Sequence, residues 1–275
     1  MVSINTNPGA LIALQNLTRI NGDLQETQRR VSTGLEVSSA RDNPALFALA
    51  QRQRAELGSI ESVQQGLRIA TSAVDVALAA GESISDILVE LRSVASQATD
   101  SSLSAADRTV LQDQFISLRD QITRLVDSAE IGGRNLLANG APDLTVVAGT
   151  DGSDTITVDA QDFSIGGGII NISNGGTPLA SVGDAQAQLT AIDNAINASS
   201  SALGALGAGS QALGLQGDLL TRIGDTLEVS IGNLVDADLA RESSRLQALQ
   251  VQQQLSIQTL SIANAAPNAI LALFA

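Results

Sequence analysis

Between Ile60 and Ala98, alternating steps of three and four residues pick out Ile60, Val63, Leu67, Ala70, Val74, Ala77, Gly81, Ile84, Leu88, Leu91, Ala95 and Ala98. All are apolar except one glycine, so a single face of a long helix carries an unbroken heptad seam. A strict seven-residue repeat drifts on a straight helix, which predicts a left-handed supercoil around partner helices. At about 1.5 Å per residue the seam is roughly 58 Å long, and something equally long must cover it. Leu111, Phe115, Leu118, Ile122, Leu125 and Ala129 keep the same rhythm behind Ser104 and Asp107, a capping pair. A third series runs Leu189, Ile192, Ile196, Ser199, Leu203, Leu206, Ser210, Leu213, Gly217, Leu220, Gly224, Leu227, Ile231 and Leu234. Seams of this length, rich in small residues, predict a rod of long antiparallel heptad helices.

The two ends carry patterns of their own. Leu11, Leu14, Leu17, Ile20, Leu24 and Val31 line one face of an N-terminal helix that follows Asn7 and Pro8. Gly34 and a polar run through Ala45 interrupt it, and Asn43 with Pro44 then supplies the cap and first turn of the long helix. The third seam breaks at Asp236, Asp238 and Arg241. Beyond it Leu239, Leu246, Leu249, Val251, Leu255, Ile257, Leu260 and Ile262 fall on more than one helix face, which predicts covering from several sides.

Residues 141–183 alone look β-like. Leu144–Val147 and Thr155–Val158 are β-branched runs on either side of a Gly/Asp/Ser turn, which reads as a hairpin with a longer loop. Ile169–Ile172, after three glycines, is a further candidate strand. Gly149 to Thr157 comes near one copy of a calcium-binding nonapeptide repeat, but that architecture needs several stacked copies. A solvated turn is the expectation, with no metal.

Charge changes the picture more than length does. The net charge is −14, which argues against nucleic acid and anionic membrane surfaces as partners. No helical segment is apolar enough for membrane insertion. Yet Met1 to Thr18 and Leu246 to Ala275 contain no ionisable side chain, so all 29 acids lie between two apolar helical ends. One terminal pair is too slender to bury that much of its own surface. Burial against copies of the same chain needs no charge pairing and accounts for the missing charges. With no His, Cys, Tyr or Lys, only Asp, Glu, Ser, Thr and Arg remain for chemistry, so no catalytic residue and no cofactor is expected. Asp236 and Asp238 diverge on a helix and read as capping the junction rather than as an acid–base pair. No basic, apolar signal segment opens the sequence, so any export is expected to use another route.

At this point the chain strongly resembles bacterial flagellin, specifically the short alphaproteobacterial type. The resemblance rests on Arg29-Arg30-Val31-Ser32-Thr33-Gly34-Leu35 with Ser39-Ala40-Arg41-Asp42-Asn43 near one end. At the other end it rests on Asn233 to Ser243, Leu249 to Gln254 and Leu260 to Asn264. Ile131-Gly132, where many flagellins have Phe-Asn, departs from the pattern. The resemblance implies a mainly α fold: an inner terminal-helix coiled coil of residues 1–43 and 235–275, and an outer rod of 44–234 with a small β element. It also implies a subunit that self-assembles into the flagellar filament for swimming. The self-assembly core would be Leu11, Leu14, Leu17, Leu24, Val31, Leu239, Leu246, Leu249, Leu255, Leu260 and Ile262, and the core–rod junction Arg41, Asp42, Asn43, Asp236 and Asp238. Implied partners are other copies of the chain, the flagellar export apparatus of type III and its chaperone, and hook-associated and cap proteins, with an extracellular location. A hook–filament junction protein, or another type III-exported helical assembly protein, is the alternative that shares these features.

Overall fold

The computed structural model describes residues 6–271, with side chains described as far as Ala265, so the side chains of the Ile270–Phe274 run lie outside the described residues. Five helices follow one another among these residues: α1 (Pro8–Thr33), α2 (Pro44–Ala98), α3 (Ala105–Ser128), α4 (Val182–Val235) and α5 (Leu239–Leu271). Between α3 and α4 lie β1 (Glu130–Ile131), β2 (Arg134–Asn135), β3 (Leu144–Val147) and β4 (Thr155–Val158). The chain divides into two compact units, one of residues 56–225 and one joining 1–55 to 226–275.

In the 56–225 unit the seam is the core. Ile60, Leu67, Val74, Ile84, Leu88 and Leu91 of α2 are buried, as are Phe115, Leu118 and Ile122 of α3 and Ile192, Leu206, Leu213 and Leu220 of α4. Helix α4 runs antiparallel to α2. Gln64 Nε2 donates to Thr221 Oγ1 at 3.1 Å, Ser210 Oγ donates to Asp75 Oδ1 at 3.4 Å, and Arg92 pairs with Asp193. Gly81 leaves room for a side chain of the facing helix: a Cβ there would sit 2.7 Å from Leu203 Cδ2. The glycine in the seam thus accepts the Leu203 side chain of α4 where a larger residue would clash with it.

Antiparallel β3 and β4 pair Leu144 with Val158 and Val147 with Thr155. Leu144 and Val158 face each other across the ladder and are both buried, so this pair turns the hairpin's apolar side inward. Gln216 Nε2 of α4 donates to the Ala148 carbonyl at 2.6 Å, and Val146 lies next to Gly66 of α2. The hairpin therefore rests on both long helices. Beside it, Leu136, Leu137, Phe163, Ile170, Ile172 and Leu179 are fully buried.

Two local features differ from the sequence expectation. Ile169–Ile172 forms no strand; Ile170 makes a single parallel bridge to Ile165 across a turn at Gly166. The Asp162 carboxylate holds that loop, accepting from the backbone of Ser164 at 3.0 Å and Gly168 at 3.3 Å and from Asn139 Nδ2 at 3.2 Å. A side chain that satisfies backbone donors locally competes with ladder formation. The reverse happens at β1–β2, a small hairpin the sequence reading did not anticipate. Gly132 (φ 59°) and Gly133 (φ 78°) form its two-residue turn, and positive φ at both positions matches strand twist.

In the other unit, Asn7 Oδ1 caps α1 by accepting from Ala10 at 3.1 Å, with Pro8 in the first turn. Gly34, with φ 72°, ends the helix in the left-handed conformation and returns its N–H to Arg30 at 2.9 Å. The first turns of α2 meet the last turns of α4 through Gln53 Nε2 and Ser230 Oγ at 3.1 Å.

Candidate self-assembly surface

Helices α1 and α5 pack antiparallel. Asn7 Nδ2 donates to the Ala263 carbonyl at 2.7 Å, Gln253 Nε2 to Asn21 Oδ1 at 2.7 Å, and Arg30 to Glu242 Oε1 at 3.4 Å, so the contact runs nearly the length of α1. Ile20, Leu24 and Leu249 form its small buried cluster, with Leu246 packed against it.

The nominated assembly residues divide into two groups. Leu24 and Leu249 are buried between the two helices, and Leu17, Val31, Leu246 and Leu260 are half-buried. Leu11, Leu14, Leu239, Leu255 and Ile262 are exposed, with Leu255 at 56% and Ile262 at 68%. Ile12, Val251 and Ile257 join them on the surface. The spread of apolar positions around α5 is thus covered on one side only within the chain. Fully covering each exposed Leu or Ile would contribute about 1.5–3 kcal/mol. No charge stands in the way: between Pro8 and Thr18, and from Leu246 through Ala265, no side chain ionises.

The polar contacts here were not foreseen. Asn21 and Gln253 bond across the pair, and Thr27 and Glu242 are buried polar residues. Glu242, in the first turn of α5, receives Arg30 on one oxygen, while the other oxygen is buried without a hydrogen-bond partner. Arg30 also reaches Glu26 at 2.7 Å, one turn back on α1. The only sequence signal was placement, since Glu242 stands beside an otherwise charge-free segment.

Among the residues expected at a core–rod junction, the Asp42 carboxylate organises the loop between α1 and α2. Its Oδ2 accepts from Ser38 N at 3.1 Å, Ser38 Oγ at 2.9 Å, Ser39 N at 2.9 Å and Ser39 Oγ at 3.1 Å, and Arg29 approaches Oδ1 at 3.1 Å. The Ser38 hydroxyl, with smaller help from Ser39 and against the opposing effect of burial, holds this carboxyl below its ordinary value. Asn43 Oδ1 accepts from Ala45 at 3.2 Å and Leu46 at 3.1 Å, capping α2. Asp238 Oδ1 accepts from Ala240 at 3.0 Å and Arg241 at 3.1 Å, capping α5. Asp236 is exposed and folds back over Gly232, where a Cβ would lie 2.8 Å from its Oδ2. A backbone bridge ties the two interhelix links: Glu36 N donates to Val235 O at 2.7 Å and Ala237 N to Gly34 O at 2.9 Å. Arg41 is exposed and lies outside these contacts.

Comparisons with known proteins agree with this architecture. The family model of the bacterial flagellin N-terminal helical region matches residues 4–141, and that of the C-terminal helical region matches 189–274. Flagellin FljM of Caulobacter vibrioides is 41% identical over 272 residues, covering 99% of this chain and 98% of that protein. A flagellin of Brucella melitensis is 36% identical over 291 residues, covering 100% and 99% respectively. A putative flagellar hook-associated protein from Vibrio parahaemolyticus superimposes with a TM-score of 0.58 at 16% identity, covering 71% of this chain and all of that one. The chain belongs to the bacterial flagellin family. It is a structural subunit of the flagellar filament and not an enzyme. The hook-junction alternative is not favoured, because the likeness to a hook-associated protein at that identity is one of fold alone.

Proposed function

We propose that α1 and α5 form the inner core through which subunits of the filament pack, with residues 1–43 and 235–275 inside and residues 44–234 as the outer helical rod. The supporting observation is the coincidence of exposed apolar side chains with absent charge: Leu11, Leu14, Leu255 and Ile262 project from helix stretches without an ionisable group. Exposed apolar faces of this extent on a subunit mark an interaction surface. Arg41, Asp42, Asn43, Asp236 and Asp238 define the junction, where the core would meet the rod. Among the described residues, Leu11, Leu14, Leu255 and Ile262 of α1 and α5 stay uncovered, so fully ordering the two ends, at about 1–2 kcal/mol per residue, is coupled to polymerisation. As in the family it resembles, the subunit leaves the cell through the type III flagellar export apparatus with a chaperone's help, and joins hook-associated and cap proteins outside.

Seeded polymerisation tests this reading. Leu255→Asp places a charge where several subunits converge, at a cost of several kcal/mol without a counter-ion, and yields soluble helical subunits that add to no seed. Asp151→Ala, in the exposed β3–β4 turn, polymerises normally. Ordinary filaments from the Leu255→Asp protein would show that this face is not the core.

A further inference from the structure

An asparagine followed by glycine has its side-chain amide open to attack by the next backbone nitrogen, because glycine brings no Cβ to block the approach. The chain has three such pairs, Asn21-Gly22, Asn139-Gly140 and Asn174-Gly175. The attack needs a glycine N–H that is not already engaged, and the three pairs differ in this. Gly22 lies inside α1, where the helical ladder takes its N–H. Gly175 N donates to Ser173 Oγ at 3.2 Å. Gly140 N has no hydrogen-bond partner among the described residues. It sits with φ 68° in an exposed turn that Ala141 N closes on Ala138 O at 3.2 Å.

What the Asn139 amide touches gives the reaction a structural consequence. Its Nδ2 donates to Asp162 Oδ2 at 3.2 Å, and the same carboxylate accepts from Ser164 N at 3.0 Å and Gly168 N at 3.3 Å. Burial alone would raise the Asp162 carboxyl, but donors from Ser164, Gly168 and Asn139 together hold it below its ordinary value. Gly167 passes so close that a Cβ there would lie 2.5 Å from Asp162 Oδ2, so the carboxylate has little room to move away. The two stretches also run together: Gln161 N donates to Leu136 O at 2.7 Å and Phe163 N to Leu137 O at 3.0 Å. A change at residue 139 is therefore delivered to the loop that Asp162 clamps.

We propose that Asn139 is a site of spontaneous deamidation that unclamps the 162–170 loop. The Gly140 nitrogen bonds to Asn139 Cγ and gives up its proton, the bond from Cγ to Nδ2 breaks, and ammonia leaves behind a cyclic succinimide. Water then opens the ring at either carbonyl, to aspartate or, with the main chain rerouted through the side chain, to isoaspartate. Each product replaces the Nδ2 donor with a carboxylate beside Asp162, and the like charges repel. The acidic chain gains a further negative charge in a slow, one-way step that marks the age of a subunit.

Hydroxylamine, which traps the succinimide and cleaves between asparagine and glycine, reads the first step. The folded full-length chain is cut between 139 and 140 and survives between 174 and 175, whereas the chain in urea is cut at both. A folded chain cut at 174 as fast as at 139, or resistant at 139, overturns the assignment. Amide hydrogen exchange reads the second step. Residue 139 is exposed, so Asn139→Asp and Asn139→Ala keep the helicity of the unmodified chain by circular dichroism. Asn139→Asp speeds exchange at Ser164 and Gly168 several-fold, and Asn139→Ala, which loses the donor but brings no charge, speeds it less. Exchange unchanged in Asn139→Asp, or equal in the two variants, overturns the unclamping by charge.

Discussion

Gln253 of α5 donates to Asn21 of α1 across the terminal helix pair, with 2.7 Å between Nε2 and Oδ1. Among the described residues, the buried cluster beside it is Ile20, Leu24 and Leu249 with Leu246 packed against it, apolar contacts that carry no directional preference. A polar pair within such a seam specifies which turn faces which, as single polar core positions do in coiled coils. Gln253→Leu removes the donor and leaves Asn21 Oδ1 part-buried and unpaired, a loss of about 1–3 kcal/mol. The expected result is a critical concentration for polymerisation raised roughly tenfold, since each 1.4 kcal/mol is a factor of about ten. Sedimentation of filaments against total protein reads this directly.

Two glycines of α2 have opposite expectations. A Cβ at Gly81 would sit 2.7 Å from Leu203 Cδ2, whereas Gly58 has nothing within 4 Å. Gly81→Val overpacks the α2–α4 crossing and should cost about 1–3 kcal/mol. Gly58→Ala removes helix-interior glycine entropy and should gain about 0.5–1 kcal/mol. Urea unfolding of the monomer measures both, and equal effects would show that the crossing is not tight.

Asp42 ties the α1–α2 loop to pH. Its folded carboxyl titrates below the ordinary carboxylate value because Ser38 and Ser39 donate to the ionised form. A depressed acid contributes stability that is complete above its unfolded value, about 3.9, and is lost as pH falls through the lower folded value. The Ser38 and Ser39 amide resonances should hold still from neutrality to about pH 4 and move only below it. In Asp42→Asn they should not show this acid transition. Movement centred near pH 5 or above would contradict the assignment.

The long seams were legible because their period is redundant. Val63 apart, every seam position from Ile60 to Ala98 is buried, and a single ambiguous residue cannot shift such a pattern. The hairpin strands Leu144–Val147 and Thr155–Val158 were legible from β-branching and a turn between them. What escaped was governed by side-chain to backbone contacts. Asp162 diverts Ile169–Ile172 into a clamped loop, and adjacent positive-φ glycines build the β1–β2 turn in a stretch noted only because Ile131-Gly132 departs from the flagellin pattern. Gly-Gly between short extended runs was the available signal. At the terminal surface, hydrophobic spacing marked the apolar face but not its division into covered and open parts. Ile20 lies in the covered part with Leu24, while Leu11 and Leu14 on the same helix remain exposed. That division depends on how α5 lies against α1, which spacing along one helix does not encode. The Asn21–Gln253 bond escaped for the same reason.

An electron cryomicroscopy map of filaments grown from this protein alone tests the central claim most directly. The account predicts α1 and α5 innermost in the wall, with Leu11, Leu14, Leu255 and Ile262 against neighbouring subunits and shielded from solvent. A map in which these four side chains face solvent, with subunits joined only through residues 56–225, would contradict it.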